Sequence, residues 1–186
     1  PYTKEIKNFY FENRKIANKI IKDHLKINSC ILEETDKIIS KLPKNKFIIG
    51  VHIRGTDKIS MIGGRKIEPD EYFIFIDYLI KKNNDSIIFL ATDDAEYYNI
   101  FKKKYNDKIF YQEEVLRSKC NVFLDESNKN NYKKGKDVLV DCLCLSRCDF
   151  LIHQSSAVSE FAIYFNINLH NKSLNLQYNN KTFLKL

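Results

Sequence analysis

Apolar residues recur at helical spacing along a lysine-rich stretch from Lys4 to Lys41: Ile16, Ile20 and Ile21, Leu25, and later Ile31, Ile38 and Ile39. This predicts two helices, broken near Asn28. Pro43 and the polar Lys44, Asn45 and Lys46 end them, and Phe47 to Ile53 is a compact β-branched run that predicts a buried strand. Glu68, Pro69, Asp70 and Glu71 then put a first-turn proline and negative charge at the start of a helix running to about Lys82. The pattern repeats, with Asn83 to Asp85 as a turn, Ile87 to Ala91 as a second strand and Asp94 to about Lys104 as a helix. Ile109 to Tyr111 predicts a third strand. From Glu113 to Lys134 the chain is polar and irregular, a long loop with one ordered piece around Val122 to Leu124. Gly135 to Cys148 reads as a helix, Phe150 to His153 as a strand, Val158 to Phe165 as a helix and Ile167 to Leu169 as a last short strand.

Short apolar strands alternating with helices of this length argue for an α/β fold, a doubly wound parallel sheet covered on both faces. The expected division is residues 1–45 as N-terminal helices and residues 46–186 as the sheet domain. In such sheets ligands bind beyond the carboxyl ends of the strands. Chemistry is therefore expected at Arg54 to Lys58, Thr92 to Asp94 and His153 to Ser156.

Composition narrows the classes further. The 186 residues are 44% hydrophobic and 30% charged, with 5 Gly and 3 Pro, which excludes collagen-like and disordered chains. No apolar run approaches the roughly 18 residues of a membrane span. The net charge of +7 reads as a solvated lysine-rich surface rather than a nucleic-acid face, since no basic-aromatic motif accompanies it. The 5 cysteines are an odd number without zinc or disulfide-framework spacing, which points to buried thiols in a reducing compartment such as the cytoplasm. The chain begins at Pro1 with no signal-peptide pattern, as a piece of a longer protein does.

Each strand end carries candidate groups. His52, Arg54, Gly55, Thr56, Asp57 and Lys58 combine a bidentate cation with a glycine that lets backbone approach, a set suited to phosphate or to an internal Arg-Asp bridge. Asp93 and Asp94 follow the second strand, one fit to cap the next helix and the other to orient Arg54. A metal at the pair lacks a third ligand. Ser155 and Ser156 precede a helix whose free amides and nearby hydroxyls suit an anion, with helix capping as the compatible structural role. Neither GxGxxG nor GxxxxGK occurs.

The segments Gly50-Val-His-Ile-Arg-Gly-Thr-Asp-Lys58, Ala91-Thr-Asp-Asp94 and Asp141-Cys-Leu-Cys-Leu-Ser-Arg-Cys-Asp149 with Phe150 to Glu160 resemble, in this order, the C-terminal donor-binding half of GT-B fucosyltransferases. The likeness is greatest to the α1,6-fucosyltransferase and nodulation fucosyltransferase relatives and extends over about Lys46 to Leu169. It implies a Rossmann-like donor-binding domain, GDP-fucose as donor substrate, a glycan acceptor, inversion at the anomeric carbon, and neither metal nor other cofactor. It also implies that Arg54 binds the β-phosphate, His52 lines the nucleotide pocket, and Asp57 and Lys58 shape the reacting centre. Asp141 matches the aspartate that reads guanine, Ser155 and Ser156 match phosphate-binding serines, and Asp93 and Asp94 match a pair of aspartates needed for activity.

The chain departs from the pattern at two positions. Where the α1,6 enzymes carry their proposed catalytic glutamate stands about Ile62, and where they carry a second arginine stands Gly55. Glu68, Asp57 or a residue on an acceptor domain outside this chain remain as candidate bases. The competing expectations are a nucleotide-sugar-binding domain without catalysis and a basic nucleic-acid-binding module.

Overall fold

A computed structural model of the chain describes residues 4–55, 65–118 and 130–178, with the side chains of residues 4–7 excepted. Asp57, Lys58 and Ile62, the piece at Val122 to Leu124, and Cys120 lie outside the described residues. Five strands, β1 (Phe47–Ile53), β2 (Ser86–Thr92), β3 (Ile109–Phe110), β4 (Phe150–His153) and β5 (Ser173–Asn175), form one sheet in the order β3-β2-β1-β4-β5. Every pairing is parallel: Ile49 sits opposite Ile88 on one side of β1 and opposite Phe150 on the other. Among the described residues six α-helices accompany them: α1 (Lys4–His24), α2 (Ser29–Ser40), α3 (Pro69–Lys82), α4 (Ala95–Tyr105), α5 (Asn131–Ser146) and α6 (Ala157–Phe165).

The sheet is buried on both faces because its residues alternate between two cores. Ile88 and Leu90 of β2 pack with Tyr72, Ile76 and Leu79 of α3 and Phe101 of α4. Phe89 and Ala91 of the same strand pack with Val140, Cys144 and Leu145 of α5 and Ala162 and Ile163 of α6. Chain order runs from β1 outward to β3, then returns to β4 on the other side of β1. The sheet therefore reverses direction between β1 and β4, where adjacent strand ends lead apart and leave a crevice.

Local signals account for most boundaries. Glu71 Oε1 accepts from the Glu68 amide at 3.1 Å ahead of Pro69, closing the start of α3. Gly50 is required by packing, since a Cβ there would lie 2.9 Å from Cys148 Sγ and 3.1 Å from Cys148 Cβ. Cys142, Cys144 and Cys148 are buried free thiols, whereas Cys30 is exposed. Burial pushes the Cys142 thiol up to about 12, so it serves as a small apolar group.

Two expectations change. Ile167 to Leu169 is not a strand: Ile167–His170 is a 3-10 turn, begun by Asn166 accepting from the Asn168 amide, and the edge strand is Ser173–Asn175. Ile167 and Leu169 alternate as strand residues do, but the asparagine cap captures the backbone first. Helix α5 starts at Asn131 rather than Gly135, because Asn130 Oδ1 accepts from the Lys133 amide at 2.9 Å. Gly135 is a helical position with open space around it, not a boundary.

The N-terminal helices lie against the α5 and α6 layer. Arg14 of α1 grips Glu160 of α6 with Nε and a terminal nitrogen at 2.6 and 2.8 Å, and Asn18 donates to the Tyr164 carbonyl. On α2, Glu34 pairs with Lys136 of α5, and Ile31, Ile38 and Ile39 pack on the second core.

Candidate functional site

Strand β1 delivers His52 and Arg54 to the crevice, β2 delivers Asp93 and Asp94, and α5 presents Asp137 and Asp141 one turn apart on the same face. An open cleft with about 530 Å³ of empty space lies between them. Its lining includes His52, Arg54, Asp93, Lys134, Asp137 and Asp141, with Val115, Leu116 and Val158 as apolar walls.

The two aspartates after β2 divide their work as expected. Asp94 caps α4, accepting from the Glu96 and Tyr97 amides at 2.8 and 3.1 Å. Asp93 turns toward β1, accepting from the Gly55 amide at 3.1 Å and holding an Arg54 terminal nitrogen at 3.6 Å. The pairing draws the two strand ends together so closely that a Cβ on Gly55 would lie 2.3 Å from Asp94 Oδ2. Position 55 therefore admits no side chain. Gln154, after β4, donates to the Arg54 carbonyl at 3.2 Å and fixes the third strand end against the first.

His52 is 6% exposed, and its Nδ1 lies 2.6 Å from the Ser159 hydroxyl of α6. Asp141 is 8% exposed, and its Oδ1 has no hydrogen-bond partner. A buried carboxylate oxygen without a partner is costly, and in a cleft wall it is a point where a donor-bearing ligand gains most. Desolvation is the chief reason its carboxyl is pushed up to about 7, with Asp137 and Asp93 adding to the rise and Arg117 opposing it.

Arg117 is the cation behind this wall. It donates to the Gln112 carbonyl at 2.7 Å and sits 4.6 Å from the Tyr98 ring centroid and 5.4 Å from that of Tyr111. Gln112 in turn donates to Asp137 at 3.3 Å, and the Ser118 amide bonds the Asp93 carbonyl at 3.0 Å, which anchors residues 112–118 along the cleft.

Ser155 and Ser156 stand between β4 and α6 as expected, with Ser156 in the cap position of α6. Ser156 makes no side-chain capping bond, while Ser155 Oγ accepts from Asn175 at 3.0 Å. Neither serine is among the described cleft-lining residues. Sequence reasoning missed Lys134, Asp137 and Arg117. The spacing of Asp137 and Asp141 on one helix face was a signal for one of them, whereas Arg117 lay in a polar stretch with no periodicity. Among the described residues, no group of three or more His, Cys, Asp or Glu is placed to hold a metal ion, and no helix is long and apolar enough to cross a membrane.

Comparison with known proteins agrees with this architecture. The structure of NodZ alpha-1,6-fucosyltransferase soaked with GDP-fucose superposes with a TM-score of 0.53 at 20% identity, covering 79% of this chain and 45% of that one. Fucosyltransferase NodZ from Bradyrhizobium gives 0.50 at 19% identity, with 79% and 44% covered. POFUT1 in complex with GDP gives 0.52 at 15% identity, with 87% and 49% covered. At these identities the likeness is one of fold, and the chain spans less than half the length of each of these proteins. None of the curated proteins compared matches it. The family model for alpha-(1,6)-fucosyltransferase N- and catalytic domains matches residues 16–167, which takes in all of α2 and part of α1 as well as the motif-bearing sheet. The chain belongs to that family.

Proposed function

We propose that this chain is the donor-binding half of a fucosyltransferase that takes GDP-fucose and transfers fucose, with inversion and without a metal, to a glycan hydroxyl. The observation that carries the reading is the buried Asp141 carboxylate, with an oxygen lacking any partner, in the same cleft as Arg54. Guanine presents two adjacent N–H donors on one edge, and a carboxylate accepts both. The diphosphate then lies toward Arg54, whose orientation Asp93 holds. Family membership and the fold shared with proteins whose structures contain GDP or GDP-fucose support this choice of donor.

In the proposed reaction the bond between the fucose anomeric carbon and the β-phosphate oxygen breaks as the acceptor oxygen bonds the opposite face of that carbon. Negative charge grows on the departing β-phosphate. Arg54 and the amides at the start of α6, beside Ser155 and Ser156, take up that charge. The acceptor proton passes to a base. Glu68 and Asp57 are the candidates on this chain, and a residue of an acceptor domain outside it is the third. His52, oriented by Ser159, lines the nucleotide cleft.

Single-turnover release of GDP from GDP-fucose tests the proposal. Release should occur with the wild-type chain and slow markedly in Arg54→Ala. Tight GDP-fucose binding without any release would instead identify a donor-binding domain without catalysis.

A further inference from the structure

A second, smaller cleft, open to solvent, adjoins the first, and Arg54 lines both. The rest of its lining is Gly55, Arg65, Lys66, Ile67, Tyr97 and Gln154, so that with Arg54 the described lining holds three cations and no carboxylate. Each cation is braced by an acid that is not itself in the lining. Asp93 holds Arg54 at 3.6 Å, Glu71 holds Arg65 at 2.7 Å, and Glu68 holds Lys66 at 3.4 Å. A second terminal nitrogen of Arg65 donates to the Leu176 carbonyl at 2.9 Å, so its guanidinium is fixed from two sides. The Tyr97 hydroxyl donates to the Ile67 carbonyl at 2.8 Å and places the 65–67 segment against α4.

We propose that this cleft is an anion subsite in which Arg65 binds the distal phosphate of a nucleoside diphosphate whose proximal groups occupy the larger cleft. The assignment rests on the nucleotide reading above and deepens it. Base at Asp141, Arg54 at the junction and Arg65 beyond form a continuous path. A braced guanidinium forms bidentate bonds to phosphate with little loss of side-chain freedom. The same charge would stabilise the leaving group as it departs.

The test is calorimetric titration of GDP, GMP and guanosine against the wild-type chain and Arg65→Ala, Arg65→Lys and Glu71→Gln. Arg65→Ala should weaken GDP binding about tenfold, the worth of one lost charge-assisted bond, and leave GMP and guanosine within about twofold. Arg65→Lys should recover part of the loss, and Glu71→Gln, which removes the brace but keeps the cation, should retain most of the GDP affinity. Two results overturn the proposal: GDP affinity unchanged in Arg65→Ala, or equal losses for all three ligands in Arg65→Ala and Glu71→Gln, which would mark Arg65 as a structural bridge to α3. Either leaves the larger cleft intact if the wild-type chain still selects GDP; failure of the wild-type chain to bind GDP overturns both readings.

Discussion

Asp141 should weaken the fold that it equips for binding. Burial moves its carboxyl from about 3.8 up to about 7. At about 1.4 kcal/mol per tenfold change in proton affinity, keeping it charged costs the folded state roughly 4 kcal/mol at pH 8. Because the folded-state value is raised, the folded protein holds a proton that the unfolded chain has already released. Stability therefore falls as pH rises from about 4 to about 7 and is level above that. Asp141→Asn removes the charge but adds an amide that lacks a partner as well, at about 1–2 kcal/mol. The variant should be more stable than wild type by roughly 2 kcal/mol at pH 8, with the gain vanishing near pH 5 and reversing to a loss of about 1 kcal/mol near pH 4. Urea unfolding of both proteins at intervals across that range measures the difference directly. The same variant should lose most of its affinity for GDP. A gain that does not change with pH, or a variant less stable than wild type at pH 8, would refute the reasoning.

Other predictions follow from neighbouring groups. Arg117→Met removes the cation that opposes the rise in Asp141, so the pH below which GDP binding weakens should move upward, as read from GDP titrations between pH 5 and 8. Gly55→Ala forces a methyl against Asp94 and should destabilise the chain by about 1–3 kcal/mol in thermal melts, with Arg54 displaced and GDP affinity reduced. Gly135→Ala, in a helical position open to solvent, should stabilise by about 0.5–1 kcal/mol without changing GDP affinity.

The fold was legible where one physical signal dominated. The run from Phe47 to Ile53 and the proline-led start of α3 left few alternatives, and both fall where the sequence placed them. The errors came where side chains captured backbone. Asn130 extends α5 forward by four residues, and Asn166 turns an alternating apolar stretch into a 3-10 turn. At the site, residues just past strand ends could be found by rule, and Arg54, Asp93 and Asp94 meet there with the expected partners. Arg117 and Arg65 could not, because each comes from a segment without periodicity and only the fold brings Arg117 behind the wall at Asp141 and Arg65 into the lining of the smaller cleft. The structure also separates Ser155 and Ser156, placed correctly in the chain, from the lining of the described clefts.

The central claim is that the cleft between Asp141 and Arg54 recognises a guanine nucleotide. Calorimetric titration of GDP, UDP and ADP against the chain tests it most directly. Selective binding of GDP, weakened by Arg54→Ala and made less selective for guanine by Asp141→Ala, is the predicted result. Equal affinity for all three nucleotides, or binding of none, would contradict it.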